Sequence, residues 1–449
     1  MQTTQTPVVS TAIVRRAART RHLPLAAILL AFIALSLTFN FRTPRWEAND
    51  EFDHTIYVEQ MARAWRAPPI DVSYGHESHQ PPLAYGLYAV WQRMLGIEPF
   101  EPTLRGPADA ARHRQVAHDY TPAERAQARW VHELRLFSTF EGVIVILGVF
   151  GFATAVTKRR DVALAAAAIA GTWPKMLVLS STINNDIAAI AACTLAIVGL
   201  VRMLDASDRR ARTVRAVWLG LACGVCALTK YTTLPIIAAV FGVMVVSAVR
   251  RREVRAPIVA GAVAVAGSAW WFIGNITRYG DPLARARTLA YLKVAFHGHL
   301  VHVVSWFNAD RFLDFVPRTI VRTFIYDGGW NQLLLPGAFN ALLTCAILAA
   351  AIFGCILARR AVRARNASII IGSIAASFVA VLIIAKDTTQ AEGRYLLAAL
   401  PAFAVAMLIP VLRAPDPRVQ RGVLVVWPAL FVALDIYILL IVMRGFAGL

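Results

Sequence analysis

Eleven apolar runs divide this chain, at 23–42, 136–157, 161–181, 187–203, 216–234, 235–249, 256–275, 335–357, 367–385, 394–412 and 423–443. A helix of roughly 20 apolar residues spans the hydrocarbon of a bilayer. Backbone inside hydrocarbon must satisfy its own hydrogen bonds, which leaves only helices and closed barrels. The runs are continuous rather than alternating, so they are not barrel strands. The chain therefore reads as an all-α polytopic membrane protein with about 11 transmembrane helices, within a range of 10–13. Composition agrees: 16% of the 449 residues are charged, against about 25% in soluble proteins.

The loops between these runs sort by charge. The segments 157–161, 202–215, 249–255, 358–366 and 412–422 are strongly basic, as is the N-terminal stretch with Arg15, Arg16, Arg19 and Arg21. Cytoplasmic loops of membrane proteins collect Lys and Arg. An eleven-helix count with the N-terminus inside places every basic loop inside, whereas one helix more or fewer would scatter them. The net charge of +19 is then a consequence of topology, and no nucleic-acid partner is expected. The domain plan is a basic cytoplasmic tail (1–22), a first helix (23–42), a large outer loop (43–135), helices 2–7 (136–275), a second large outer loop (276–334), helices 8–11 (335–443) and a short outer tail (444–449). The first helix follows a signal-like charge layout, but its apolar part is long and no A-x-A site follows, so it is read as uncleaved. Cys193, Cys223, Cys226, Cys345 and Cys355 all fall in apolar runs. No disulfide framework is expected, and the CxxC at 223–226 reads as small packing residues.

The unusual polar residues share the outer side. "WEANDEFDHTIYVEQ", starting at Trp46, crowds Glu47, Asp50, Glu51, Asp53, His54 and Glu59 just beyond the first helix. Taken as a helix, it puts Glu47, Asp50, Glu51 and His54 on one face, with Asp53 close by. Like charges so close repel unless a cation, a proton or a basic partner offsets them. General-base catalysis or divalent-metal binding by Asp50, Glu51 and His54 would use such a group, and a solvated acidic helix would equally produce it. Downstream, "GHESHQPPLAYGLYAVW" carries His76, Glu77 and His79, whose spacing fits no standard zinc motif. Tyr85, Tyr88 and Trp91 then follow at helical spacing, as in an interfacial helix. Asn184, Asn185 and Asp186 end one outer turn and suit a helix cap as well as a site. Lys230 and Tyr231 serve as interfacial anchors or as ligands. Arg394 and Tyr395, after Glu392 and Gly393, break the inside bias for Arg and suit a phosphate.

In order along the chain stand "NDEFDH", "HQPPLAY", "RLFS", "NND", "LTKYTTL", "WWFIGNITRYGDPL" and "EGRYLLAALPA". This series, from about residue 25 to 410, resembles the integral-membrane glycosyltransferases of GT-C fold. The likeness is greatest to the family 39-like enzymes that include protein O-mannosyltransferases and the lipid A aminoarabinose transferase. The resemblance implies a catalytic base among the acids of the first outer loop, here Asp50 and Glu51. It implies contacts from Lys230, Tyr231, Arg394 and Tyr395 to a lipid-linked phosphate. Relatives carry Lys or His just before the Pro-Pro-Leu element; here His79 is followed by Gln80.

The expected activity is transfer of a sugar from a polyprenyl-phosphate donor to an acceptor hydroxyl, with inversion, on the outer face of a bacterial inner membrane. The acceptor is a glycolipid, a polysaccharide or a protein; membrane lipids are the surroundings. A divalent cation (Mg or Mn) is compatible with the acids, and no nucleotide or redox cofactor is expected. The competing readings are a transporter or flippase of lipid-linked sugars and a non-catalytic glycolipid-binding relative.

Overall fold

The computed structural model describes residues 11–103, 121–295, 309–329, 332–388 and 390–446. Its helices, numbered in chain order, are α1 (Thr11–Arg42), α2 (Glu51–Ala64), α3 (Leu83–Met94), α4 (Pro122–Thr157), α5 (Arg160–Gly171), α6 (Pro174–Leu179), α7 (Asp186–Leu204) and α8 (Arg209–Thr229). There follow α9 (Leu234–Arg251), α10 (Arg255–Tyr279), α11 (Arg285–Ala295), α12 (Ala309–Thr323), α13 (Gly337–Ala361), α14 (Ala364–Asp387), α15 (Leu400–Leu408) and α16 (Pro417–Leu440). A two-residue antiparallel ladder, β1 (Asp327–Gly328) with β2 (Leu333–Leu334), is the only sheet among the described residues.

Ten continuous helical segments among these residues are long and apolar enough to cross a membrane. The eleventh expected crossing, 161–181, is helical but broken and is not among the ten. Pro174 lacks an N–H and crowds the residue before it out of helical backbone, so Trp173 is extended at φ −71°, ψ 117° and the span divides into α5 and α6. The two pieces still run back along α4: Ser138 Oγ donates to the Thr182 carbonyl (2.6 Å) and Thr139 Oγ1 to the Ser180 carbonyl (3.0 Å). The chain is thus an all-α polytopic membrane protein.

The basic loops gather at one end. Asp205 takes Lys158 at 3.7 Å and Arg363 at 3.4 Å, and also pairs with Arg365. Arg212 pairs with Glu253, and Arg159 donates to Gln420 Oε1 at 2.8 Å. At the opposite end a lobe projects. With 36 residues, α4 is about 54 Å long, well beyond the roughly 30 Å of hydrocarbon, and its first turns stand in this lobe. A capping box starts it: Thr121 Oγ1 accepts from Glu124 N (3.2 Å) while Glu124 Oε2 accepts from Thr121 N (2.8 Å). Against these turns pack Trp46, Tyr57, Tyr85, Tyr88 and Leu134, a small core separate from the membrane bundle. Tyr85 and Tyr88 are fully buried, so one face of α3 is a wall of this core, while Leu87, Val90 and Met94 are exposed on the other.

Two carboxyls lie buried inside membrane helices, which the loop-based sorting of charge did not anticipate. Neither oxygen of Asp435 and not Oε2 of Glu141 has a hydrogen-bond partner among the described residues. Both residues sit within about two turns of the lobe end of their spans.

Candidate active site

Asp50 stands before α2 rather than within it. It is the N-cap, in left-handed backbone at φ 62°, a region that Asp tolerates better than most residues. The kink separates the two adjacent acids. Asp50 turns toward the bundle, and Glu51 turns into the lobe. The expected common face of Glu47, Asp50, Glu51 and His54 is therefore not formed.

Glu51 is wholly committed to structure. Its Oε1 accepts from Arg135 Nε (2.7 Å) and Ile183 N (3.0 Å); its Oε2 accepts from Arg135 Nη2 (2.6 Å) and Trp46 N (3.1 Å). Arg135 donates further to the carbonyls of Asn40 (3.0 Å), Thr43 (2.6 Å) and Pro44 (3.0 Å). Both side chains are fully buried. The expected places of Glu51 in catalysis and in a metal site are thereby corrected: no oxygen is left to face a ligand. Arg135, which opens the "RLFS" stretch, is the partner that explains it.

Asp50 meets a different set. Its Oδ2 accepts from Arg394 Nη2 at 2.9 Å, and its Oδ1 lies 3.4 Å from His76 Nε2. His76 opens a 3₁₀ turn (His76–His79) that Gly75 allows to pass α2 closely. Gly75 has φ 73°, and a Cβ there would lie 2.7 Å from Asp53 Oδ1. Asp53, expected off the shared face, instead holds His76 through Nδ1 at 2.9 Å and accepts from its backbone N at 3.1 Å. Glu77 Oε1 is 3.1 Å from His76 Nε2, and Glu77 Oε2 accepts from Tyr85 OH at 3.1 Å. Tyr85 also lies 3.0 Å from His54 Nδ1 and accepts from Asn185 Nδ2 at 3.0 Å.

Two cations arrive from other helices. Lys230, the C-cap of α8 at a buried, tight junction with α9, donates to Asn185 Oδ1 (2.8 Å) and Asp186 Oδ1 (2.7 Å). Arg394 adds Asp186 Oδ2 at 3.5 Å and pairs with Glu392. Both sit near the face of Tyr395, at 5.3 and 5.5 Å from its centroid. Tyr231 turns aside, its OH accepting from Trp271 Nε1 and Asn275 Nδ2 at 3.0 Å each. Asn184 is a helix cap in function: its Oδ1 accepts from Ile187 N at 2.9 Å. His79 donates from Nδ1 to the His76 carbonyl at 2.6 Å and accepts from Gln80 at Nε2 (2.9 Å). Lys230 and Arg394 are thus buried and carboxylate-paired, not exposed anchors.

The electrostatics follow from these contacts. Burial alone would push the His76 imidazole down, but the Asp53 carboxylate and the hydrogen bonds to Asp50, Asp53 and Glu77 hold it well above its usual range. Burial likewise opposes ionisation of Asp50, yet Arg394 and then His76 hold its carboxyl well below the usual range. Glu77 is lowered by His54 and His76 against the effect of burial. Burial pushes His54 and His79 down, more than Glu77 raises them. Five acidic side chains (Asp50, Asp53, Glu77, Asp186, Glu392) thus share Lys230, Arg394 and His76 as their basic partners. Asp50, His54 and Glu77 offer donor atoms all within 4.8 Å of one another, so Glu77 takes the place expected of Glu51 in a metal-ligand set. Two carboxylates and one imidazole suit a divalent cation, and the imidazole shifts the preference from Mg toward a transition ion.

Residues 128–403 match the family described as predicted membrane protein (DUF2142), and the chain belongs to that family. No curated protein matches it. Among solved structures it is similar to ArnT from Cupriavidus metallidurans bound to undecaprenyl phosphate: 18% identity, TM-score 0.51, over 92% of this chain and 63% of that one. The apo state of the same protein gives 16% identity and TM-score 0.52, over 91% and 63%. The Archaeoglobus fulgidus oligosaccharyltransferase gives 14% identity and TM-score 0.48, over 94% and 53%. The likeness to ArnT shows a shared GT-C fold. The chain spans under two thirds of the length of the ArnT structures it matches.

Proposed function

We propose that this member of the DUF2142 family is a membrane glycosyltransferase. It would move a sugar from a polyprenyl-phosphate donor to an acceptor hydroxyl, with inversion, at the membrane face opposite its basic loops. By the charge rule that face is the outer one, in a bacterial inner membrane. The observation that carries the reading is the meeting of Arg394 with buried Asp50, and of Arg394 and Lys230 with Asp186, at the lobe end of the bundle. Nucleotide sugars are cytosolic, so a site on the outer face needs a donor that arrives on a lipid.

In this reading the donor phosphate takes over Arg394 and Lys230 from their present carboxylate partners. Loss of Arg394 from Asp50 raises the basicity of that carboxylate, because the guanidinium is what chiefly holds it low. Asp50 then accepts the proton of the acceptor hydroxyl, whose oxygen bonds to the anomeric carbon as the carbon–phosphate oxygen bond breaks. The electron pair leaves on polyprenyl phosphate, stabilised by Lys230 and Arg394. His76, held between Asp53 and Glu77, fixes the other oxygen of Asp50. A divalent cation held by Asp50, His54 and Glu77 would neutralise the acids of the resting site, and Asp50 would act as base only once released from it. The acceptor class is a glycolipid, a polysaccharide or a protein.

The test is reconstitution in nanodiscs with a panel of undecaprenyl-phosphate sugars and nucleotide sugars, reading free undecaprenyl phosphate. Release from a lipid-linked sugar supports the proposal; consumption of a nucleotide sugar overturns it. Movement of intact donor across vesicles without release identifies a transporter instead. For topology, a cysteine at exposed Ser73 should react with an impermeant thiol reagent in intact cells and one at exposed Ser207 should not.

A further inference from the structure

A cleft lies at the other end of the molecule, between α13 and α14. Gly354 lets α13 lie directly on α15: a Cβ there would meet the Ala406 carbonyl oxygen. The same helix therefore turns Ile352, Ile356 and Arg359 away from α15 and toward α14. Facing them are Ile374 and Phe378 of α14, with Phe403 of α15 as the floor. The result is a cleft of about 430 Å³, within the roughly 300–1,000 Å³ of small-ligand sites. Along α13 it runs from Leu348 to Arg359, a length of about 16 Å at the helical rise. Its walls are apolar and it opens toward lipid, where Ile352 and Ile356 are exposed.

Charge decides what fills it. The segment 358–366 holds Arg359, Arg360, Arg363 and Arg365 and no acid. Arg363 and Arg365 are paired with Asp205. Arg359, which lines the cleft, is exposed and has no acidic partner among the described residues. An apolar slot ending in an unpaired guanidinium at the basic end of a bundle fits a lipid chain with an anionic headgroup. The donor phosphate does not suit it, because α14, 24 residues long, separates this end from Arg394 by about 36 Å.

We infer that this cleft is a specific site for an anionic glycerophospholipid of the leaflet at the basic end. One acyl chain lies between Ile356 and Phe378, and the phosphate meets Arg359. The site stands independently of the transfer activity.

The test is native mass spectrometry of the full chain, delipidated in detergent and titrated with phosphatidylglycerol or phosphatidylcholine. One phosphatidylglycerol per chain should be retained in preference to phosphatidylcholine. Arg359→Gln should weaken it about fivefold, the effect of one Arg near a headgroup. Ile374→Trp, which fills the cleft, should abolish retention with Arg359 intact, and Ile356→Trp serves if that variant fails to elute as a folded monodisperse species. Arg210→Gln, at an exposed Arg of the same end, should change nothing. Equal retention of phosphatidylcholine, an equal loss in Arg210→Gln, or unchanged binding in the Trp variants would overturn the inference. So would displacement of phosphatidylglycerol by equimolar undecaprenyl phosphate.

Discussion

Asp50 and Glu51 are neighbours in the chain, both buried, and each pairs with an arginine from a distant helix. Their surroundings differ in completeness. Glu51 accepts four hydrogen bonds and shares its arginine with no other acid, only with three backbone carbonyls. Asp50 shares its arginine with Asp186 and Glu392 and lies beside a histidine shared among three acids. The first pair is closed and joins α1, α2, α4 and the turn before α7. In the second, several acids compete for few basic partners, so an incoming ligand can exchange with them. Burial of a salt bridge thus says little about its use; the count of competing partners separates a brace from a site.

The largest expected effect falls on the Asp50 side. Asp50→Asn keeps the shape and removes the base, so sugar transfer should fall roughly 10²–10⁴-fold with membrane expression unchanged. Near wild-type transfer in the reconstituted assay would move the base elsewhere, to Glu77 first. Glu51→Gln should act on stability instead. It leaves the Arg135 guanidinium buried without a counter-charge, which costs about 3–5 kcal/mol, read as lost thermal stability and poor membrane yield. A stable but inactive Glu51→Gln would return Glu51 to the chemistry and erase the contrast.

The membrane plan was legible because hydrocarbon imposes length and continuity on every span, and the five basic loops do converge on one end. The break at Trp173–Pro174 was written in the proline, but a broken span still reads as one apolar run. The acids, histidines, Lys230 and Arg394 were visible as polar residues on the side that should be poor in Lys and Arg, and the fold brings most of them together. The division between Asp50 and Glu51 was not legible. It depends on one left-handed residue and on Arg135, 84 positions away. Tyr85 was hidden for a related reason: an amphipathic aromatic pattern is the same whether a headgroup layer or a protein core receives it.

A third acid of α2 sharpens the contrast further. Glu59 is buried and accepts from Phe100 N (2.7 Å) and Gln92 Nε2 (2.9 Å), not from an arginine. Burial raises its carboxyl from 4.5 to about 7. The folded state therefore holds a proton that the unfolded chain releases near 4.5. Stability falls as pH rises from about 4.5 to 7 and stays lower above, by up to about 3 kcal/mol at 1.36 kcal/mol per unit. Glu59→Gln stays neutral throughout, so its thermal midpoint should drop less than that of the wild type between pH 5 and 8. The histidines titrate in both proteins and cancel in the difference. An identical pH dependence in the two would mean that Glu59 is ionised in the fold.

The smallest effect comes from exchanging each arginine for lysine, and it tests the comparison most directly. Lysine keeps the charge and loses the planar fork. At Arg135 the fork holds both oxygens of Glu51 and three carbonyls, so Arg135→Lys should lower the unfolding midpoint and leave the KM for the donor unchanged in the fraction that folds. At Arg394 the charge still offsets Asp50, Asp186 and Glu392, so Arg394→Lys should fold normally. What it loses is two-point contact with a phosphate, a difference of about 1.4 kcal/mol if one charge-assisted hydrogen bond is lost. The KM for the lipid-linked donor should rise about tenfold. Unfolding of Arg394→Lys with unchanged donor KM would make Arg394 a second brace, and the two sides of Asp50–Glu51 would then differ in geometry but not in role.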